Sequence, residues 1–274
     1  MSRSRRRSQA LSSLKTAGRA APVGIRKTPD EIDAIAASGA LLAAAHEAMA
    51  AHVAVGVTTA ELDEIAEQVI RDGGGIPAFK GYGGSSTSSP FPATICSSVN
   101  DQVVHGIPGA YALADGDLLA IDCGVVLDGW VSDAARSYAV GTRDPEVVRL
   151  IEVTGRALER GIAAATADAR VGDIGHAVQT EVEAAGFSCV ETLVGHGVGR
   201  SMHEPPNVPN VGTPGTGEPL FEGLVIAIEP MVNAGGPDVT LTADGWTIVT
   251  ADGSLSAHIE HTIAVTASGP RILT

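Results

Sequence analysis

At 274 residues the chain has room for one large domain or two small ones, with a sizeable core. Its net charge of −14 makes it a poor general nucleic-acid binder, and three cysteines (Cys96, Cys123, Cys189) without a CxxC exclude a disulfide scaffold and a cysteine zinc site. Aromatic residues are only 3% of the chain, so packing must rely on aliphatic side chains and close backbone approach.

The charge is unevenly spread. Residues 1–27 carry eight Lys/Arg and no Asp or Glu, which leaves ten basic against 32 acidic groups in the rest. The arrangement predicts a disordered basic tail, suited to an anionic assembly such as RNA or the ribosome, ahead of an acidic body over residues 28–274. No apolar run of ~7–15 residues follows the arginines, as an export signal would need. No stretch of ~18 apolar residues could span a membrane. A monomer in the cytoplasm is expected.

In chain order, "TPDE" places Thr28 as a helix cap, Pro29 at the first helical position and Glu31 as the partner of a capping box. The Ala-rich helix should run to about Val53. A second capping box, Thr58 with Glu61, starts a helix that three glycines (Gly73, Gly74, Gly75) stop. The pattern then recurs. A third helix begins at Pro145, and Asp173 is placed to cap a fourth that ends at Gly186. Ala66 and Gln68 recur as Ala177 and Gln179, and "LLAIDCG" (118–124) resembles "VIAIEPM" (225–231). The shared offset of about 110 residues suggests two similar helix–helix–sheet halves with a ligand cleft where they meet.

The stretch "LLAIDCGVVLDGWVSDAARSYAV" sets carboxylates where a strand should be apolar. Asp128-Gly129 between apolar runs signals a two-residue type I′ hairpin. Counting back, Leu127 pairs with Trp130, Gly124 with Asp133, and Asp122 with Ala135. Side chains alternate faces, so Asp122, Gly124 and Asp133 share one. The two carboxylates are then diagonal neighbours about 7–8 Å apart at Cβ. Two metal ions ~3.5–4 Å apart fit between them. Gly124 facing Asp133 leaves space on the metal side, into which a valine would project. Asp122 follows Leu118-Leu119-Ala120-Ile121, and an unpaired buried carboxylate costs several kcal/mol or becomes protonated. A cation removes the difficulty.

The second half repeats the anomaly. Glu229 follows the apolar "LVIAI", and Glu260 lies in "SAHIEHTIAV". A further segment, "GHGVGRSMHEPP" (195–206), places His196 and His203 among glycines. Four carboxylates and one imidazole suit Mn, Fe, Co or Zn, and the charge count favours two ions.

On these motifs, with "NDQVVHGIP" (100–108), "AIEPMV" (227–232) and "SAHIEHTIAVT" (256–266), the sequence from about residue 28 to 274 resembles type I methionine aminopeptidase. The resemblance implies the α/β pita-bread fold, with two pseudo-symmetric halves around a dimetal cleft. It makes Asp122, Asp133, His196, Glu229 and Glu260 the metal ligands, with Asp133 and Glu260 bridging. The implied reaction removes the initiator methionine from nascent polypeptides through a water or hydroxide held between two divalent ions. Glu229 would carry the proton, His203 would stabilise developing charge, and His105 would contact the substrate near its leaving nitrogen. The glycines around His196 would let the peptide come close. Matching positions put Phe79, Tyr82, Phe91, Cys96 and Trp246 around the methionine side chain. Asn100 and Ser256 match positions that help hold a monovalent cation. His258 and His261 match no catalytic position and are read as structural.

The chain departs from the family at "GYGGSSTSSPFP" (81–92). Relatives carry something like the shorter "GYHGYP". A Gly/Ser insert, expected to be a flexible loop, lies beside the pocket, and Phe91 stands in for a tyrosine. Prolidase and aminopeptidase P share the fold and much of the ligand pattern but carry a separate N-terminal domain. A non-catalytic binding module should have lost ligands. The type II enzyme has a long insert between the positions of Glu229 and Glu260.

Overall fold

The computed structural model describes residues 25–83 and 89–274. Most of the basic tail and the middle of the Gly/Ser insert, residues 84–88, lie outside the described residues. Ile25, Arg26 and Lys27, grouped by charge with the tail, pack on the body. Ile25 joins an apolar cluster of the second half, and the buried Lys27 ammonium lies 2.6 Å from Glu204.

Among the described residues there are four helices, and the first three begin where the sequence places them. α1 (Pro29–Ala50) and α2 (Thr59–Asp72) both begin in complete capping boxes, from Thr28/Glu31 and Thr58/Glu61. α3 (Pro145–Ala164) is capped by Asp144, whose side chain accepts from the Glu146 N–H. α4 (Val171–Ala184) starts earlier than its sequence suggests. Arg170 is the N-cap, and Asp173 lies three residues inside, its carboxylate accepting from the Arg170 N–H at 2.7 Å. Asp173 supplies the reciprocal half of a box whose cap side chain makes no cap bond.

In the first half, the strand Leu118–Leu127 is central. It pairs on one side with Ile95–Val99 and Ile76–Pro77, and on the other with Trp130–Ala139. The second half carries a five-stranded sheet in the order Gly269–Ile272, His261–Thr266, Val225–Ile228, Val194–Gly197, Glu204–Pro209. A three-stranded sheet (Ser256–His258, Met231–Asn233, Ser188–Cys189) lies nearby. The hairpin register is the counted one: Leu127 with Trp130, Gly124 with Asp133, Asp122 with Ala135. Asp128 and Gly129 take φ of 50° and 74°, as a type I′ turn requires.

The halves are joined by backbone at the point where the carboxylates gather. Glu260 N–H donates to Ala135 C=O at 3.0 Å, and Ala135 N–H donates back at 3.4 Å. Thr262 Oγ1 donates to Asp133 C=O at 2.8 Å and accepts from Asp133 N–H at 3.1 Å. Separate apolar cores lie under each helix pair. The cleft between them is therefore held by ladder-type bonds rather than by loops.

Candidate active site

The twelve side chains nominated for metal, catalysis and substrate line one cavity of about 130 Å³, and Met202 joins them. Asp122 and Asp133 come from the paired strands of the first half. Glu229 follows the strand Val225–Ile228, His196 sits on Val194–Gly197, and Glu260 lies between Ser256–His258 and His261–Thr266. Ligand atoms of Asp133, His196 and Glu260 lie within 4.8 Å of one another. His196 Nε2 is 3.5 Å from Glu229 Oε1 and 3.7 Å from Asp133 Oδ2. His196 Nδ1 lies 3.0 Å from the Gly197 carbonyl, so Nδ1 carries the hydrogen and Nε2 offers a lone pair to the carboxylates.

These groups satisfy one another only in part. Asp122 Oδ1, Asp133 Oδ1 and Glu260 Oε1 are buried without a hydrogen-bond partner. Burial pushes the Asp122 carboxyl up to about 7. Burial and then the Glu260 charge hold Asp133 well above the usual carboxylate range. Glu229 is raised by burial and by Asp122 and Asp133, and Glu260 by burial and by Glu229 and Asp122. Four carboxylates that resist ionisation, with unpartnered oxygens beside an imidazole lone pair, are the donor set a divalent cation satisfies. The residues fit such an ion.

Two more histidines lie against the cluster. The His203 and His196 ring centroids are 4.2 Å apart, and the Tyr82 hydroxyl is 2.6 Å from His203 Nδ1. His105 takes φ of 59°, a left-handed conformation that a non-glycine residue holds only when its surroundings fix it. Burial, then the His203 charge, lowers His105 to about 4, and burial lowers His203. Both are neutral near pH 7 and able to donate a hydrogen bond.

The apolar wall is Phe79, Phe91, Cys96 and Trp246, with Phe91 edge-on to Trp246 at 5.3 Å. Burial, then the Asp122 and Asp133 charges, keeps the Cys96 thiol protonated. Met202 completes the wall. Sequence reasoning missed it, although its place beside His203 in "GRSMHEPP" was a signal.

Two glycine readings are corrected. A Cβ on Gly124 would meet Met202 Cε at 2.6 Å and Phe79 Cε1 at 2.9 Å. The face is the counted one, but the neighbour is the apolar wall and not the ion space. The glycines of "GHGVG" serve the strands and not a peptide: a Cβ on Gly195 would strike the Ala227 carbonyl, one on Gly197 the Pro205 carbonyl, and one on Gly199 Glu204 and Lys27.

Asn100 and Ser256 are brought together, Ser256 N–H donating to Asn100 C=O at 2.9 Å. The Asn100 amide is used elsewhere, on Asp117 and Leu118, whereas Ser256 Oγ is buried without a partner. His261 Nδ1 contacts Thr274 Oγ1 at 2.9 Å. His258, set aside by the motif reading, turns Nε2 toward Glu229 and Glu260, 3.9 Å from each.

The chain as a whole matches a known group of enzymes. The sequence profile of metallopeptidase family M24 fits residues 33–267. The chain belongs to this family. It is 50% identical over 250 residues to a methionine aminopeptidase of Clostridium perfringens, covering 91% of this chain and 98% of that protein. It is 48% identical over 256 residues to methionine aminopeptidase 1 of Mycobacterium tuberculosis, covering 91% and 94%. The crystal structure of the Rickettsia prowazekii methionine aminopeptidase superposes with a TM-score of 0.87 at 41% identity, over 91% of this chain and 98% of that one. A prolidase from Pyrococcus horikoshii, at 21% identity and a TM-score of 0.72, shares the fold. The motif-based resemblance to type I methionine aminopeptidase and the α/β pita-bread architecture thus hold. The chain is a metal-dependent hydrolase by family.

Proposed function

We propose that this protein removes the N-terminal methionine from nascent polypeptides and peptides. The observation that carries the reading is the one cavity in which four carboxylates, all raised by burial, and His196 stand beside an apolar wall. Asp122, Asp133, His196, Glu229 and Glu260 would hold two divalent ions such as Mn, Co, Fe or Zn. When bound, such ions lower the pKa of a water and polarise the scissile carbonyl.

The chain's own residues supply the rest. Phe79, Phe91, Cys96, Met202, Trp246 and the Tyr82 ring enclose the methionine side chain and exclude water. His203 donates to the carbonyl oxygen as negative charge develops there. His105 binds the peptide near the scissile nitrogen. Glu229 takes the proton released as water adds to the carbonyl carbon. It delivers that proton to the amine as the C–N bond breaks, so the products are free methionine and a shortened peptide.

The same reading makes residues 28–274 one catalytic domain that acts as a cytoplasmic monomer. Residues 1–24, with six of the eight basic groups, are a basic tail that contacts an anionic partner such as the ribosome, supported by the segregation of charge. A monovalent cation beside Asn100 and Ser256 belongs to it too, supported by the unpartnered Ser256 Oγ. Among the described residues no helix is long and apolar enough to cross a membrane.

The test is cleavage of Met-Gly-Met against Ala-Pro. The methionyl peptide is expected to be cleaved, activity to vanish in chelator, and Mn or Co to restore it. Full activity in metal-free protein, or preference for Ala-Pro, overturns the assignment. Removing residues 1–24 should leave tripeptide cleavage unchanged and weaken ribosome association most visibly at low salt.

A further inference from the structure

We infer that His258 is a positioning residue for the metal-ligating carboxylates, donating its Nε2–H to the outer oxygens of Glu229 and Glu260. The inference rests on the dimetal reading above.

His258 ends the strand Ser256–His258, where it pairs with Met231. Its backbone is held on both sides by one residue of the other half. Ser137 Oγ donates to the His258 carbonyl at 2.8 Å, and the His258 N–H donates to Ser137 Oγ at 3.1 Å. The side chain is 2% exposed. Nε2 is buried without a hydrogen-bond partner, and a buried polar atom left so is costly. Glu229 Oε2 and Glu260 Oε2 each lie 3.9 Å from it.

The imidazole does not line the cavity that holds the five nominated ligands, so it lies behind the carboxylates rather than among them. A lone pair on Nε2 would face two carboxylate oxygens and be repelled once they ionise. An N–H there is attracted to both. Carboxylates drawn into place by cations need such outer partners to fix their rotamers, as ligating groups elsewhere do. Glu229 and Glu260 come from different strands, and one imidazole between them couples their orientations.

The experiment titrates chelator-stripped full-length protein with Mn²⁺ under anaerobic conditions by calorimetry. Wild type, H258L, H258Q and D133N are compared. H258L fills the space without a donor; H258Q restores an N–H. Two ions are expected on wild type. In H258L at least one site should weaken by ~10–100-fold, with H258Q recovering most of the loss. H258L binding two ions at wild-type affinity, or H258Q no better than H258L, overturns the inference. Wild type that binds no Mn²⁺, or D133N that binds like wild type, instead removes the dimetal reading beneath it. Zinc-loaded wild-type protein should also show a slowly exchanging imidazole Nε2–H proton by NMR that H258Q lacks. This readout stands even if H258L does not fold, and absence of that proton overturns the inference too.

Discussion

The carboxylate cluster and the apolar wall share one cavity but are held by different means. Asp122 and Asp133 sit inside an antiparallel ladder, and Glu260 is bonded through its backbone to Ala135 of the same ribbon. The wall comes largely from connecting segments. Tyr82 C=O accepts from Phe91 N–H at 2.9 Å, and Trp246 Nε1 donates to Ser89 C=O at 3.3 Å across the stem of the insert. Trp246 itself is seated by a turn in which Asp244 accepts from the Trp246 and Thr247 N–H groups. Register places the charged groups; local turns place the apolar ones. Substitutions in the cluster should therefore appear as lost metal, and those in the wall as altered substrate binding with the metals retained.

The largest effect expected outside the ligands tests whether the flanking histidines belong to either region. His203→Ala should retain two metals, measured by elemental analysis, and lower kcat by ~10²–10³-fold, the cost of removing a donor to a developing oxyanion. Loss of one stoichiometric metal would move His203 into the ligand set.

Gly124→Val sharpens the comparison from the other side. Its Cβ meets Met202 and Phe79. The variant should therefore bind both metals yet lose at least roughly 10–200-fold in kcat/KM for methionyl peptides, the range associated with a single methylene in a pocket. A variant short of a metal would instead put position 124 at the ions, as the hairpin count alone suggests.

That pair of outcomes marks how far the sequence could be read. The gathering of the carboxylates was legible because a carboxylate in an apolar strand is anomalous and needs a partner, and because Asp128-Gly129 fixes a register that can be counted. Helix starts at Thr28 and Thr58 were legible from complete capping boxes. The wall was less so, since Phe, Met and Cys are ordinary core residues. What crosses a given face depends on chains remote in sequence. Met202 lies over Gly124, Pro205 over Gly197, and Lys27 reaches Glu204 from 177 residues away. The role of Gly195, Gly197 and Gly199 was misassigned for that reason, since local sequence cannot say whether a close neighbour is substrate or strand.

A smaller effect concerns the cluster without metal. By about pH 7.5, one unit above the ordinary histidine value of ~6.5, histidines are largely neutral in folded and unfolded chains alike. The buried histidines here, all lowered, then add no slope. Asp133, Glu229 and Glu260 are raised well above their ordinary values. A raised acid stabilises the fold below its unfolded pKa, and that contribution is lost as pH rises through the folded one. Chelated protein should thus melt lower as pH rises from about 7.5 to 8.5, by ~2–4 °C per kcal/mol lost. Asp133→Asn should flatten the slope. A melting temperature that rises with pH in chelator would mean that the carboxylates are not mutually destabilised.

The smallest effect separates the two parts of a single side chain. Tyr82 lines the apolar wall with its ring, but its hydroxyl is 2.6 Å from His203 Nδ1. Burial lowers His203, so its ring is neutral at pH 7 and one nitrogen carries the hydrogen. A phenol donating to Nδ1 leaves that hydrogen on Nε2, the form able to donate to a substrate oxygen. Tyr82→Phe keeps the ring and removes only the tautomer constraint. A net hydrogen bond of ~0.5–1.5 kcal/mol corresponds to roughly a 2- to 13-fold change. The decrease should fall on kcat, with KM for Met-Gly-Met unchanged, and Tyr82→Phe in the His203→Ala background should cost nothing further. An unchanged kcat in Tyr82→Phe would make Tyr82 wall alone. A full additional loss in the double variant would show that its hydroxyl acts on something other than His203.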